Sequence, residues 1–473
     1  MSVNEQNENG RKHFRKKLEH MIHTLRDDML AGRRRPGEFL PSERELVKQF
    51  HLSNKLVRVG LEKLVEEQLL EKIPRVGNRV ADPLPCLPVT LKLGYHASLQ
   101  REARLLDAIE AFQQEYPHIR VHSLPIAFDR YSEYAQEYLE SGMLDIISMN
   151  YNNFYDFQSR GQLDRLEPLQ QLGGLYPGLN ELFQADGRQY VRPLVFSPLV
   201  LCYNRDHLAE AGIAEPFRPQ SWDELIAAAA SLTIENVRFG FYFFLHSKNR
   251  WPVFLLQNGS GQAGGEDDIS LKVERIVRAL SKLREMIYAP QSFPTFLAES
   301  EADAEALFKQ GKLSIIMTSY LAMNALVSEE REGRQRYAIA PLPTLSVPAN
   351  ILMSVGLAIS RASEQKAAAG LFLDFMTSSR MQMMIRQRTT SIPVLQEAAQ
   401  WQGDEEQQPV GYALFRQETP FMKAFTETGL SVDELDMIFQ EARIYWSKLQ
   451  SEDDMRDKLY RILDNGSTQS RGL

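Results

Sequence analysis

Three prolines within six positions, Pro83, Pro85 and Pro88, cut this chain into a short part and a long one. Proline fixes φ and lacks an amide hydrogen, so such a run neither continues a helix nor sits inside a sheet. Residues 83–89 are therefore expected to form an extended, semi-rigid linker. The domains expected are a small head over 1–82 and a large body over 90–473, long enough to bury cores of its own. Charge divides at the same place. Residues 1–82 hold 17 Lys+Arg against 13 Asp+Glu, or +4; with whole-chain totals of 54 and 62, the rest holds 37 against 49, or −12. A basic head on an acidic body points to a polyanionic partner for the head.

Other features exclude whole classes. Two cysteines, Cys86 and Cys202, rule out a disulfide scaffold and a Cys-rich zinc site. No apolar run approaches the roughly 18 residues of a membrane span. Met1–Gly10 is polar and leads into the basic Arg11–Lys17 with no apolar segment behind it, which a secretory signal requires. The expectation is a cytoplasmic chain without a membrane partner. No H-E-x-x-H, G-x-S-x-G or phosphate-cradling glycine loop occurs, so no catalytic residue, metal ligand or cofactor is assigned. Gly259–Gly265 is glycine-rich without a following lysine and reads as a surface loop. Asp267-Asp268 and Glu405-Glu406 read as solvated charges.

Within the head, Phe14, Leu18, Met21, Ile22, Leu25 and Met29 recur at three and four, predicting a helix over Lys12–Ala31. Ser42-Glu43-Arg44-Glu45 is a capping box opening a second, short helix to Phe50. Ser53 caps a third to about Glu67. Leu69–Ile73 and Asn78–Ala81 follow as strands of a hairpin. Three helices and a hairpin make a winged helix-turn-helix. On the third helix Val57, Leu61 and Leu64 face the core, leaving Asn54, Lys55 and Arg58 on the opposite side for base edges and phosphates. Arg44 opens the preceding helix within reach of a phosphate, and Gly77 at the hairpin tip lets backbone approach a groove.

Leu40-Pro41-Ser42-Glu43-Arg44-Glu45-Leu46, then Ser53, Val57-Arg58, Leu61, Leu64 and the wing glycine resemble a GntR-type winged-helix regulator over about 70 residues. The resemblance implies DNA contact by Arg44, by the residues opening the recognition helix (Ser53, Asn54, Lys55), by Arg58 and, at the minor groove, by Gly77. Asn54 stands where the family has arginine and Leu56 where it has threonine. Asn reads adenine bidentately but Leu56 cannot donate, so a different operator is expected.

In the body, strands at Val89–Tyr95, Arg120–Pro125 and Leu144–Met149 alternate with helices at Leu99–Glu115 and Phe128–Ser141, which predicts an α/β domain with a largely parallel sheet. Further strands are expected at Leu199–Tyr203, Leu313–Met317, Ala338–Ala340 and Val355–Ser360. Helices are expected at Trp222–Leu232, Ile269–Tyr288, Ala302–Lys309 and Ser363–Phe375. The ordered segments Tyr116-Pro117-His118-Ile119, Ser141-Gly142-Met143-Leu144-Asp145, Gly161-Gln162-Leu163-Asp164, Tyr203-Asn204-Arg205-Asp206, Ser221-Trp222-Asp223-Glu224, Phe308-Lys309-Gln310-Gly311-Lys312 and Ala340-Pro341-Leu342-Pro343 resemble the family 1 extracellular solute-binding proteins, which are maltose-binding-protein-like, over roughly 90–460. The resemblance implies a two-lobed α/β periplasmic-binding-protein-like (type II) body that closes on a solute. The overall class is thus multidomain, an α+β winged helix-turn-helix head before that body.

Sugar sites set aromatic faces against rings and polar groups against hydroxyls. By position near strand ends and lobe crossovers, the candidates are Tyr95 and His96, Asn150 and Tyr151, Trp251, Tyr320, and Met353 and Ser354. Trp222 and the Phe241–Phe244 run are assigned to the core. The expected partners are a double-stranded DNA operator, a small-molecule effector of carbohydrate type and a second copy, because one helix-turn-helix reads a half-site. The alternative is a GntR-type head on an aminotransferase-like body holding pyridoxal phosphate through a Schiff-base lysine. That body needs a Ser-x-x-Lys-type segment near a buried lysine and an aspartate for the pyridine nitrogen; neither is placed, and Ser354–Ser360 carries no lysine.

Overall fold

The computed structural model describes residues 34–74, 76–81, 89–127, 130–259, 269–289, 297–326, 336–403 and 408–470, together with 17–29 apart from 19, 23 and 27. The proline linker from Asp82 to Pro88, the glycine-rich stretch from Ser260 onward and both acidic pairs lie outside the described residues.

In the head, the described residues of 17–29 are helical (α1) and give Met21, Ile22, Leu25 and Met29 to a small core. Helix α2 (Glu43–Phe50) starts on the capping box: the Ser42 hydroxyl accepts the Glu45 amide, and the Glu45 carboxylate accepts the Ser42 amide at 2.8 Å. His51, in left-handed backbone at φ 51°, turns the chain into α3 (Asn54–Glu66). Val57, Leu61 and Leu64 of α3 are buried against α1 and α2, as the spacing requires. Gly60 lets α1 approach closely, since a Cβ there would lie 2.2 Å from the end of Met21. Strands β1 (Leu70–Ile73) and β2 (Gly77–Val80) pair antiparallel, with Leu70 opposite Val80 and Ile73 opposite Gly77. Gly77 thus begins the second strand instead of capping the hairpin, and Val76 occupies the tip, 67% exposed.

The body contains two mixed sheets. The first has six strands: β3 (Val89–His96), β4 (Ile119–Ile126), β5 (Ile146–Asn150), β6 (Arg192–Ser197), β11 (Met353–Ile359) and β12 (Ile392–Pro393), in the order β12-β6-β11-β5-β3-β4. The second has four: β7 (Leu199–Asn204), β8 (Phe239–Tyr242), β9 (Leu313–Ser319) and β10 (Tyr337–Ala340), in the order β8-β9-β7-β10. The expectation of a largely parallel sheet is only half met. β3 runs parallel to β4 and β5, whereas β11 is antiparallel to both β5 and β6. Strands β6 and β12 are not among those expected; β6 is buried at every position and so shows none of the alternation that marks a one-sided strand. The expected helix Leu99–Glu115 is two, Leu99–Glu102 and Leu105–Glu115, broken where Arg104 takes φ 51°.

Trp222 begins helix Trp222–Leu232 and is 1% exposed, its indole N–H donating to Gln257 Oε1 at 2.8 Å. That helix lies directly on β8, where a Cβ on Gly240 would sit 1.8 Å from the Ala229 carbonyl oxygen. Helices Val432–Trp446 and Glu452–Ser470 pack on Ile269–Tyr288 and complete this side.

The chain crosses between the sheets at Pro198, where β6 gives way to β7, and returns between β10 and β11. Asn350 ties these crossings together. Fully buried, it accepts the Leu199 amide and donates to the Leu199 carbonyl, both at 2.9 Å, and donates to Glu418 at 2.8 Å. A fold built this way is two lobes on a hinge.

Candidate functional site

The head offers one exposed face. Asn54, Lys55 and Arg58 are exposed on the side of α3 away from Val57, Leu61 and Leu64, and Arg44 is exposed in the first turn of α2. The structure gives Ser53 a local duty: its hydroxyl accepts the Leu56 amide at 3.3 Å, capping α3. Arg58 is not free in this state. Its Nε donates to Glu43 at 2.8 Å, and this partner raises the guanidinium's affinity for its proton. The Glu43 contact joins α2 to α3 across the turn, which no spacing rule within one helix would disclose.

In the body, the segments that follow β3 and β5 face those that follow β8 and precede β9. His96 ends β3 and is buried. Its ring stacks on Tyr131 with centroids 3.4 Å apart, and its Nε2 lies 2.8 Å from Asn153 Oδ1. Burial holds its pKa down at about 4, only partly offset by Asn153, so the ring is neutral near pH 7. Asn150 caps helix Tyr151–Ser159 through the Asn153 amide at 2.9 Å. From that helix Asn152 donates across to Asn249 at 2.7 Å, and the Tyr151 hydroxyl meets Thr426 at 2.7 Å. The two lobes touch through these polar contacts.

The facing lobe supplies charge. Arg250, 3% exposed, pairs with Glu301 at 2.9 Å and reaches the Met353 sulfur at 3.8 Å. Ser247 donates to the same Glu301. Glu102 from the first lobe and Glu305 from the second are both pushed up to about 7, in each case mainly by burial. Each also raises or feels the field of neighbours: Arg101 favours both carboxylates, while Glu301 and Glu102 disfavour that of Glu305. Carboxyls, amides, an arginine and a neutral imidazole gathered where two lobes meet can accept and donate to a hydroxyl-rich solute.

The candidates fall unevenly on this cleft. His96 and Tyr151 lie in the contact between the lobes, both buried, and Asn150 supports it as a helix cap. Tyr95, 5% exposed, belongs to the core of the first lobe. Trp251 and Tyr320, both 0% exposed, are packed inside. Trp251 stacks on Phe439, and the Tyr320 hydroxyl donates to the Tyr412 carbonyl at 2.8 Å. Neither has surface left for a solute in this arrangement of the lobes. Met353 and Ser354 lie within β11, not ahead of it, and Ser354 spends its hydroxyl on the Val195 carbonyl at 2.9 Å. Glu102, Asn152, Asn249, Arg250, Glu301 and Glu305 were not anticipated. Glu102 carried a usable signal, an acid on the apolar side of a short helix beside Leu99 and Ala103. Arg250 and Glu301 had none, because they meet only through the fold.

Residues 107–410 match the family model described as bacterial extracellular solute-binding protein, and residues 17–80 match that of the bacterial regulatory proteins, gntR family. The chain belongs to the bacterial extracellular solute-binding protein family. Its head is the part that matches the gntR family. The chain is 26% identical over 220 residues to a binding protein of Brucella abortus (strain 2308), covering 45% of this chain and 53% of that one. The chain thus spans about half the length of that relative. The periplasmic-binding protein YcjN of an Escherichia coli (strain K12) ABC transporter is 21% identical over 296 residues, 59% of this chain and 67% of that one. Among solved structures, maltose-bound T. maritima MalE3 superposes with a TM-score of 0.68 at 20% identity, over 80% of this chain and 99% of that one. An ABC substrate-binding protein of Listeria monocytogenes in complex with cycloalternan superposes at 0.63, also at 20% identity and the same coverage. The body therefore has the maltose-binding-like fold, and the aminotransferase-like alternative is set aside. Among the described residues, no helix is long and apolar enough to cross a membrane.

Proposed function

We propose that this chain is a cytoplasmic, non-enzymatic transcriptional regulator whose body senses a carbohydrate and whose head binds a palindromic operator as a homodimer. The observation that carries the reading is the union of an exposed basic recognition helix with a hinged, two-lobed body whose cleft gathers His96, Asn152, Asn249, Arg250 and Glu305. The domain limits that fit it are 1–82 for the head, 83–89 for the linker and 90–473 for the sensor. Arg44, Ser53, Asn54, Lys55, Arg58 and Gly77 form the DNA face in this reading, with Arg58 released from Glu43 as it meets a phosphate. Maltose in MalE3 and cycloalternan in the Listeria protein support a saccharide as the solute class.

A solute that prefers the closed lobes shifts them, and DNA affinity changes only as far as the solute discriminates between head arrangements. The test is thermal unfolding of the full chain with maltose, maltotriose and common monosaccharides, followed by operator binding with and without a responding sugar. A sugar at about 1,000 times its Kd adds about 4 kcal/mol, a rise of about 5 °C for a body of roughly 380 residues. A protein that responds to no saccharide, or whose operator affinity ignores the responding one, overturns the reading.

A further inference from the structure

Beside the edge strands β12 and β10, Arg386 of helix Ser379–Arg388 and the segment Gln408–Gln417 line a cavity of about 470 Å³. Its walls include Arg218, Arg386, Gln408, Gly411, Tyr412 and Gln417, and among the described residues none that lines it is acidic. Arg386 is the unusual member. It is 1% exposed, yet it makes no ion pair among the described residues. Its guanidinium lies 4.3 Å from the centre of the Tyr412 ring and 5.8 Å from that of Trp401. Its one hydrogen bond is long, 3.5 Å from Nη2 to the Trp401 carbonyl, and Nε has no partner.

Burying a guanidinium without a counter-charge is costly, and the aromatic faces compensate only in part. Gln408, 4% exposed, shows the complementary defect. Its Nε2 donates to the carbonyls of Arg386 and Thr389, both at 3.1 Å, while its Oε1 accepts from nothing. Arg218, exposed at the rim, adds a second cation. Arg386 and Gln408, each with an unpaired buried polar atom, both line the cavity. We infer that this cavity is a second ligand site, separate from the interlobe cleft, for a small metabolite carrying a phosphate or carboxylate group next to a hydroxyl.

The site is wired to the hinge. The Tyr412 hydroxyl donates to the Ser391 carbonyl at 3.0 Å beside β12, and the Tyr412 carbonyl accepts the Tyr320 hydroxyl. The Val410 carbonyl accepts the Ile339 amide of β10 at 2.7 Å. An anion drawn onto Arg386 therefore presses on a segment bonded to both sheets, and its occupancy biases the lobe angle.

The experiment is thermal unfolding of the full chain at constant ionic strength with inorganic phosphate, glucose 6-phosphate and gluconate, and with glucose as the neutral control. The expected result is a rise in the body's Tm with at least one of the three anions, at a concentration where glucose gives a smaller shift. That rise is lost in Arg218→Met and in Arg386→Met. Without anion, Arg386→Met unfolds at the same or a higher temperature, because it removes an uncompensated charge. The responding arm tells phosphate from carboxylate. Should Arg386→Met fail to fold, Arg218→Met decides the matter. No shift with any anion overturns the inference, as does a shift that survives both substitutions, which would place the anion elsewhere, the basic head included.

Discussion

Replacing Asn350 by leucine tests whether one amide holds the hinge. The side chain is nearly isosteric, so little packing volume changes, but every polar contact of Asn350 is lost. The Leu199 amide and carbonyl, each 2.9 Å from Asn350, are left buried without those partners at the very crossing where β6 becomes β7. The Ile351 amide loses a bond of 2.8 Å, and the Glu418 carboxylate loses a donor at the same distance. A buried group deprived of its partner costs about 1–3 kcal/mol. Glu418 escapes part of its share by taking up a proton, since burial already raises its pKa and Asn350 is what restrains that rise. Two backbone groups at the lower half of the range, with a smaller contribution from the rest, give about 4 kcal/mol. At about 2.1 cal/mol/K per residue over roughly 380 residues, that lowers Tm by about 5 °C. Differential scanning calorimetry at pH 7 reads the shift directly. The loss should shrink at lower pH, where Glu418 is protonated in both proteins. A Tm within 1 °C of the parent on this scale would refute the idea that Asn350 clamps the crossings.

Arg58→Ala should weaken specific operator binding by about 1–3 kcal/mol, and Glu43→Gln, which unlocks Arg58, should strengthen binding to non-operator DNA; fluorescence anisotropy at fixed salt measures both. His96 binds its proton less readily folded, at about 4, than unfolded, at about 6.5, so its stabilising effect is present above pH 6.5 and lost as pH falls toward 4. Chemical denaturation between those values should show His96→Gln losing about 3 kcal/mol less than the parent. Gly240→Ala should cost several degrees of Tm for the body, because the new methyl meets the backbone of Ala229, while DNA binding by the head survives.

How much of this was legible beforehand depended on the range of the interaction. The capping box at Ser42, the cap at Ser53 and the apolar stripe Val57–Leu64 are set by residues within a turn or two, and they appear where the spacing puts them. Helices Trp222–Leu232 and Ile269–Tyr288 begin and end at the expected residues for the same reason. The contact between the lobes depends on longer-range interactions. Aromatic residues near strand ends looked like sugar platforms, but Trp251 and Tyr320 were claimed by packing, and their burial depends on Phe439 and Tyr412, far along the chain. The polar groups that do face each other, Asn152 with Asn249 and Arg250 with Glu301, are separated by 97 and 51 positions. Nothing local marks either pair.

The interleaving of the two sheets also orders events during synthesis. The head's core draws on residues between Met21 and Val80, so it can be complete before most of the body has left the ribosome. The six-stranded sheet cannot close until β11, some 260 positions after β3, is available to pair with β5 and β6. A nascent chain therefore passes through a stage in which the winged helix is folded while the sheets of the body are still open strands. In the proposed reading, a head in that interval meets DNA without being answerable to any solute.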